Sequence, residues 1–114
     1  MPIVSKENAE HYVWGGNCDG WHLMRSETLS VIQECMPPGA TATEHSHERA
    51  RQFFFVLSGR LAMAMDGEVR HIGSQQGLEI APGVRHRAFN DSTESVEFVL
   101  CSTPPAKGDR INLP

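Results

Sequence analysis

The residues best suited to chemistry are three histidines and one glutamine in the middle of the chain. His45 and His47 are two positions apart, so on a β-strand their side chains point to the same side. Gln52 follows at the start of an apolar segment, and His86 comes after a Pro-Gly turn. Imidazole nitrogens suit zinc, iron, nickel and copper, and an amide oxygen adds a harder ligand. We therefore interpret the four residues together as a mononuclear metal site.

The segments that must position these residues have the pattern of short β-strands. Residues 51–57 are rich in aromatic and β-branched side chains and stop at Ser58-Gly59. Asp66-Gly67 is typical of a hairpin turn. No segment sustains helical apolar spacing, and turn residues recur about every eight to twelve positions. This pattern predicts an all-β barrel or sandwich. The predicted strands cover residues 21–24, 27–36, 41–47, 51–57, 60–65, 68–72, 78–80, 86–90 and 96–101.

The chain length and the positions of its turn residues predict one domain with two extensions. The chain has 114 residues, which is enough for one hydrophobic core and too few for two. We expect residues 1–20 to form an N-terminal arm, with a short strand at 9–14 as its one regular element. Residues 21–103 are predicted to form the barrel domain, and residues 104–114 an extended C-terminal tail that begins with two prolines.

Composition favours a small-molecule partner. The formal net charge of −4 argues against nucleic acid or an anionic membrane as the main partner. No segment approaches the ~20 apolar residues that span a bilayer, and the first residues lack the features of a secretory signal. Three widely spaced cysteines without a Cys-x-x-Cys pair predict reduced, buried thiols. We therefore expect a cytoplasmic protein.

Alternation along the strands assigns side chains to faces. On the strand that carries Gln52, the inward set is Gln52, Phe54 and Val56, and the outward set is Phe53, Phe55 and Leu57. The outward apolar set needs covering by the arm or by a second subunit, so we expect a homodimer. The candidate apolar walls of the pocket are Phe54, Val56, Met63 and Met65, although core filling also explains the two methionines.

The ordered set of residues resembles the cupins, small jelly-roll barrels with two sequence motifs. The positions that match the family pattern are Gly39, His45, His47, Gln52 and Gly59 in the first motif, and Gly83, His86 and Asn90 in the second. This chain departs from the pattern at Gln52, where cupins usually have glutamate, and at Gln75 and Ala81, where they have glycine and proline. The resemblance extends from about residue 21 to residue 101 and implies a double-stranded β-helix.

The resemblance also implies one divalent transition metal ion inside the barrel, either iron, manganese, nickel, zinc or copper. The ligand positions are those of His45, His47, Gln52 and His86. A neutral glutamine makes the site more electropositive than a glutamate would. If Gln52 binds the ion, one or two positions stay open; if it is withdrawn, three histidines leave three open positions.

Two functions follow from this sequence. The first is a metal-dependent enzyme that acts on a small organic molecule, as a dioxygenase or else as an isomerase or lyase. The alternative is a non-catalytic barrel that binds or senses a small molecule. Acid-base candidates are few: Glu34 and Glu97 lie on predicted strands whose faces the sequence leaves undetermined.

Overall fold

The computed structural model describes residues 1–106 and 108–113, and this part of the chain consists of strands and turns without a helix. It therefore has no helix long and apolar enough to cross a membrane. The strands are β1 (Glu10–Trp14), β2 (Cys18–Arg25), β3 (Ser30–Met36), β4 (His45–His47), β5 (Arg51–Ser58), β6 (Leu61–Met65), β7 (Glu68–Ile72), β8 (Gly77–Ile80), β9 (His86–Phe89), β10 (Val96–Thr103) and β11 (Arg110–Asn112).

The strands form two antiparallel sheets. One has the order β1-β2-β3-β10-β5-β8, and the other has the order β11-β4-β9-β6-β7. Strands distant in sequence are neighbours in both sheets, so long connections pass between the sheets and tie them together. This arrangement confirms the all-β architecture predicted from the regular spacing of turns.

The core lies between the sheets because each central strand alternates apolar residues inward. In β10, Val96 and Phe98 are fully buried and Leu100 is nearly so, while the residues between them are partly exposed. Phe98 packs against Phe54 of β5 with ring centroids 5.7 Å apart. Burial of such side chains stabilises the fold by about 25 cal/mol per Å² of apolar surface removed from water.

Both predicted extensions contribute strands. β1 pairs with β2 along its whole length, so the segment predicted as an arm joins the six-stranded sheet from residue 10 onward. The predicted tail includes β11, which pairs with β4 beside the histidines. Both strands lie at sheet edges and are mostly exposed. β1 corresponds to the short strand expected at 9–14, whereas β11 lacks the apolar alternation that indicates a strand in sequence.

Candidate metal centre

The three histidines come together because β4 and β9 are neighbours in the five-stranded sheet. His45 is the cross-strand partner of His86, and His47 lies two residues further along β4 on the same face. One possible ligand atom from each histidine lies within 4.8 Å of those from the other two. Ring centroids are 4.4 Å apart for His45 and His86 and 5.0 Å apart for His45 and His47. The predicted convergence of the histidines is confirmed.

Backbone carbonyls fix the orientation of two of the imidazoles. The Nδ1 of His45 lies 2.8 Å from the carbonyl oxygen of Thr43, and the Nδ1 of His86 lies 2.9 Å from that of Val84. A carbonyl oxygen only accepts hydrogen bonds, so each Nδ1 carries the proton and each Nε2 keeps its lone pair. This is the arrangement in which a histidine binds a metal through Nε2.

Burial keeps all three imidazoles in the neutral form that binds metals. The cost of placing a charge away from water lowers the pKa of His45 to about 4. Burial also lowers the pKa of His47 and of His86. The neighbouring His86 imidazole lowers the pKa of His47 further, and the Arg110 charge acts in the same direction on both residues. Deprotonation is therefore not an additional cost of metal binding near neutral pH.

Gln52 faces the same cavity from the opposite sheet, on β5. Its Nε2 donates a hydrogen bond of 3.0 Å to the Oγ of Ser102, its cross-strand partner on β10. The Oε1 of Gln52 is buried and accepts no hydrogen bond from the described residues. Ser102 thus holds the amide with its oxygen free to act as an acceptor or as a ligand.

These residues fit a divalent transition metal. Buried polar atoms in proteins almost always have a partner, but the Nδ1 of His47, the Oε1 of Gln52 and the Nε2 of His86 lack one among the described residues. Two of these atoms are the ones that a metal ion would engage. Three neutral imidazoles and an amide oxygen form a donor set suited to iron, nickel, copper or zinc.

The site opens into a cavity of about 480 Å³ between the sheets. Its walls are mostly apolar, and Phe54 is one of them, as predicted. Three polar residues, Tyr12, Glu34 and Arg110, also line it. The sequence alone did not place any of the three in the cavity. Glu34 could have been noticed as the one acidic residue at an inward position of the apolar strand β3.

The other three predicted wall residues do not line this cavity. Val56 and Met63 are fully buried in the hydrophobic core, and Met65 packs partly buried against it. Alternation identified the inward faces of β5 and β6 correctly, but it carries no information on the position of a side chain along the barrel axis. These side chains face inward beyond the end of the cavity.

The remaining histidines have separate environments. His22 lines the cavity and packs against Tyr12 with its ring tilted, the ring centroids being 4.7 Å apart. His11 is exposed and pairs with Asp19, and His71 is exposed and pairs with Asp91.

Comparison with known proteins agrees with this architecture. The Cupin_2 model, described as a cupin domain, matches residues 32–102. A solved structure of a Klebsiella pneumoniae protein with a double-stranded β-helix domain superposes with a TM-score of 0.83 at 20% identity, covering 100% of this chain and 98% of that one. The predicted double-stranded β-helix is confirmed.

Two curated relatives share part of the chain. This chain is 37% identical to polyketide synthase CurC of Streptomyces cyaneus over 71 residues, and the matched segment covers 62% of this chain and 46% of CurC. It is 27% identical over 79 residues to the transcriptional regulator PuuR of Escherichia coli, which covers 69% of this chain and 43% of PuuR. The chain thus spans less than half the length of either relative. The family match covers more than half of the chain, and the protein belongs to the cupin family.

Proposed function

We propose that this chain is a metal-dependent enzyme that acts on a small organic molecule in the barrel. The divalent transition metal ion would be held by His45, His47 and His86, and Gln52 would complete or adjust the ligand set. The observation that carries this proposal is the convergence of three neutral imidazoles, two of which have their tautomer fixed by a backbone carbonyl.

The residues that line the cavity would have different roles in such a reaction. A bound divalent ion would supply a Lewis acid that polarises an oxygen of the substrate. Phe54, Leu100 and other apolar residues form walls of the cavity and would bind the apolar part of a substrate. Glu34 provides a buried carboxyl group in the same cavity. Proton transfer requires such an acid-base group, whereas oxygenation does not. We therefore favour an isomerase or lyase over a dioxygenase.

Elemental analysis of the purified protein and of two histidine variants tests the metal site. We expect about one equivalent of a transition metal in the unmodified protein and a loss of metal in His47→Ala, because a tetrahedral or octahedral ion loses a ligand. His71→Ala is the matched control, since that exposed histidine pairs with Asp91. Equal metal contents in the two variants, or no metal even after soaking, would rule out the proposed ligand set.

A second candidate function is a non-catalytic module that senses a small molecule. The similarity to the regulator PuuR favours this alternative. A tight organic ligand that is released unchanged from metal-loaded protein would support the sensor and contradict the enzyme. The net charge predicts that this chain does not bind nucleic acid. Binding to nucleic acid would be measured in the same preparation.

We also propose that the protein is a homodimer in the cytoplasm. The outer face of β5 carries Phe53, which is 44% exposed and stacks on Phe55. The three cysteines are unpaired, as expected in a reducing compartment.

A further inference from the structure

We propose that Glu34 is the catalytic acid-base of the cavity, positioned by Tyr12, and that the substrate is a small carbonyl compound whose anionic group binds Arg110. This inference rests on the proposed function, because it assigns a reaction and a substrate class to the same cavity. It is carried by a contact between three neighbouring strands.

Tyr12, Gly20 and Glu34 lie side by side across β1, β2 and β3. Tyr12 is the cross-strand partner of Gly20, and Gly20 is the partner of Glu34. The hydroxyl group of Tyr12 donates a hydrogen bond of 2.7 Å to Oε2 of Glu34, two strands away. A side chain that reaches across a whole strand needs free space above that strand, and Gly20 provides it.

The space above Gly20 is filled by the Tyr12 ring. A Cβ atom built on Gly20 would lie 2.1 Å from Cζ of Tyr12, which is closer than any real contact. Gly20 is therefore required for the contact between Tyr12 and Glu34, although it touches neither the carboxyl group nor the histidines directly. This makes Gly20 and Tyr12 positioning residues for Glu34.

The environment of Glu34 suits reversible proton transfer. Its side chain is buried, and desolvation raises the pKa of its carboxyl group to about 7, against the opposing effects of the Tyr12 hydroxyl and the Arg110 charge. The ionisable groups that face it are Tyr12 on β1, Cys18 on β2 and Arg110 on β11. A base that is half ionised near pH 7 both accepts and returns protons efficiently.

Burial of this carboxyl group is a cost to folding that packing does not explain. An apolar side chain at an inward position of β3 would remove the desolvation penalty of a carboxyl group. Ile32, two residues earlier on the same face, shows that the cavity accepts such a side chain. Perturbed carboxyl groups in a cavity are characteristic of functional sites.

Arg110 supplies the positive charge that an anionic substrate requires. It is an exposed residue that also lines the cavity, so it stands at the cavity opening. Its Nε donates to Oδ1 of Asn112 at 2.7 Å, which orients the guanidinium group and leaves other N–H donors for a ligand. Guanidinium groups bind carboxylates through paired hydrogen bonds.

The reaction step is a proton shift next to a carbonyl group. The Glu34 carboxylate takes a proton from a carbon adjacent to the carbonyl, and the electron pair of the broken C–H bond moves toward the carbonyl oxygen. The Glu34 carboxyl group then returns the proton to the same carbon or to a conjugated one. Atoms and electrons balance without an oxidant or a reductant.

Deuterium exchange into 2-oxobutyrate tests this step. We would incubate metal-loaded protein with 2-oxobutyrate in D₂O and follow the loss of the C3 proton signal by NMR. Glu34→Gln is expected to slow exchange by roughly 10²- to 10⁴-fold. Glu97→Gln is the matched control, because Glu97 lies on the outer face and pairs with Lys6, and it should exchange at the unmodified rate. Arg110→Gln should raise KM roughly tenfold and, at a pH where Glu34 is ionised in both proteins, leave kcat nearly unchanged.

The pH profile separates positioning from a purely structural role. Exchange by the unmodified protein should increase with pH through about 7, where Glu34 becomes ionised. Tyr12→Phe removes a hydrogen bond to the carboxylate, so it should move this midpoint to higher pH. Gly20→Ala should lower the rate because the Tyr12 ring is displaced. Infrared titration of metal-free protein gives the carboxyl pKa independently of activity.

The outcomes distinguish this inference from the proposed function. Protein that loads no metal contradicts the proposed metal site, while the infrared titration still tests the carboxyl group. Metal-loaded protein that binds 2-oxobutyrate but shows no exchange, or equal exchange by Glu34→Gln, overturns the role of Glu34. Failure to bind 2-oxobutyrate overturns the substrate class. If Glu34→Gln does not fold, an unchanged midpoint in Tyr12→Phe overturns the inference.

Discussion

Gln52 is the residue whose chemistry decides how strongly the cavity would hold a cation. It is buried opposite three neutral imidazoles, and Ser102 accepts its amide N–H. A glutamate is nearly the same shape, and the Ser102 hydroxyl group can donate to its carboxylate instead. Replacing Gln52 by glutamate therefore changes the charge of the side chain and preserves its volume.

We predict that Gln52→Glu binds a divalent metal at least roughly tenfold more tightly, because an anionic oxygen replaces a neutral one. Competition against a chromophoric chelator measures the affinity. Gln52→Leu, which removes the oxygen, is the paired variant and should bind no more tightly than the unmodified protein. Equal affinities for all three proteins would show that residue 52 does not contact the ion.

The sequence reveals some of these residues and conceals others. Two histidines at alternate positions predicted a common face, and the cupin motif predicted that His86 would join them; both hold in the structure. The contact of Tyr12 with Glu34 could not be predicted, because it depends on three strands in register around one glycine. Strand alternation carries no information on distance along the barrel, so it predicts Val56 as a cavity wall although Val56 lies in the hydrophobic core.

Strand β11 supports the metal site because it pairs with β4, the strand that carries His45 and His47. Just before it, the Asp109 carboxylate accepts hydrogen bonds from the backbone N–H groups of Arg49 and Ala50, at 3.0 and 2.8 Å. These two residues belong to the loop between His47 and Gln52. Asp109 therefore ties the C-terminal segment to the connection between two proposed ligands.

We predict that Asp109→Asn lowers stability and weakens metal binding by roughly tenfold, as loss of a supporting hydrogen bond does in metal sites. The hydrogen bond from the Ala50 N–H contributes most to lowering the pKa of Asp109. The stabilisation is thus present above the usual pKa of an aspartate and is lost as pH falls through the lower, folded-state value.

Urea denaturation and chelator competition measure these two effects at neutral pH. Asp66→Asn is the matched control, because Asp66 is an exposed residue of the β6–β7 turn. The difference in urea midpoint between the Asp109 variant and the unmodified protein should shrink in strong acid. A difference that is the same at all pH values would show that charge is not the cause.

At the scale of the molecule, the two sheets have unlike outer faces. The outer face around β5 and β10 carries an apolar patch formed by Phe53, Phe55, Leu57, Val99 and Cys101. Lys6 of the N-terminal segment pairs with Glu97 and lies over Trp21, so this segment covers a different part of the same sheet. The arm thus leaves Phe53 exposed, and a second copy of the chain is the proposed cover.

We predict that Phe53→Ser converts the dimer to a monomer, because aromatic side chains supply much of the binding energy of an interface. Phe53 lies over Gly77 of the edge strand β8 and stacks on Phe55, so its ring is held in place before association and loses little entropy on binding. Light scattering after gel filtration gives the mass. Val69→Ser removes an equally exposed apolar side chain from the other sheet and should remain dimeric. If the unmodified protein has the mass of one chain, the proposed dimer is contradicted. If Phe53→Ser is still a dimer, the interface lies on another face of the protein.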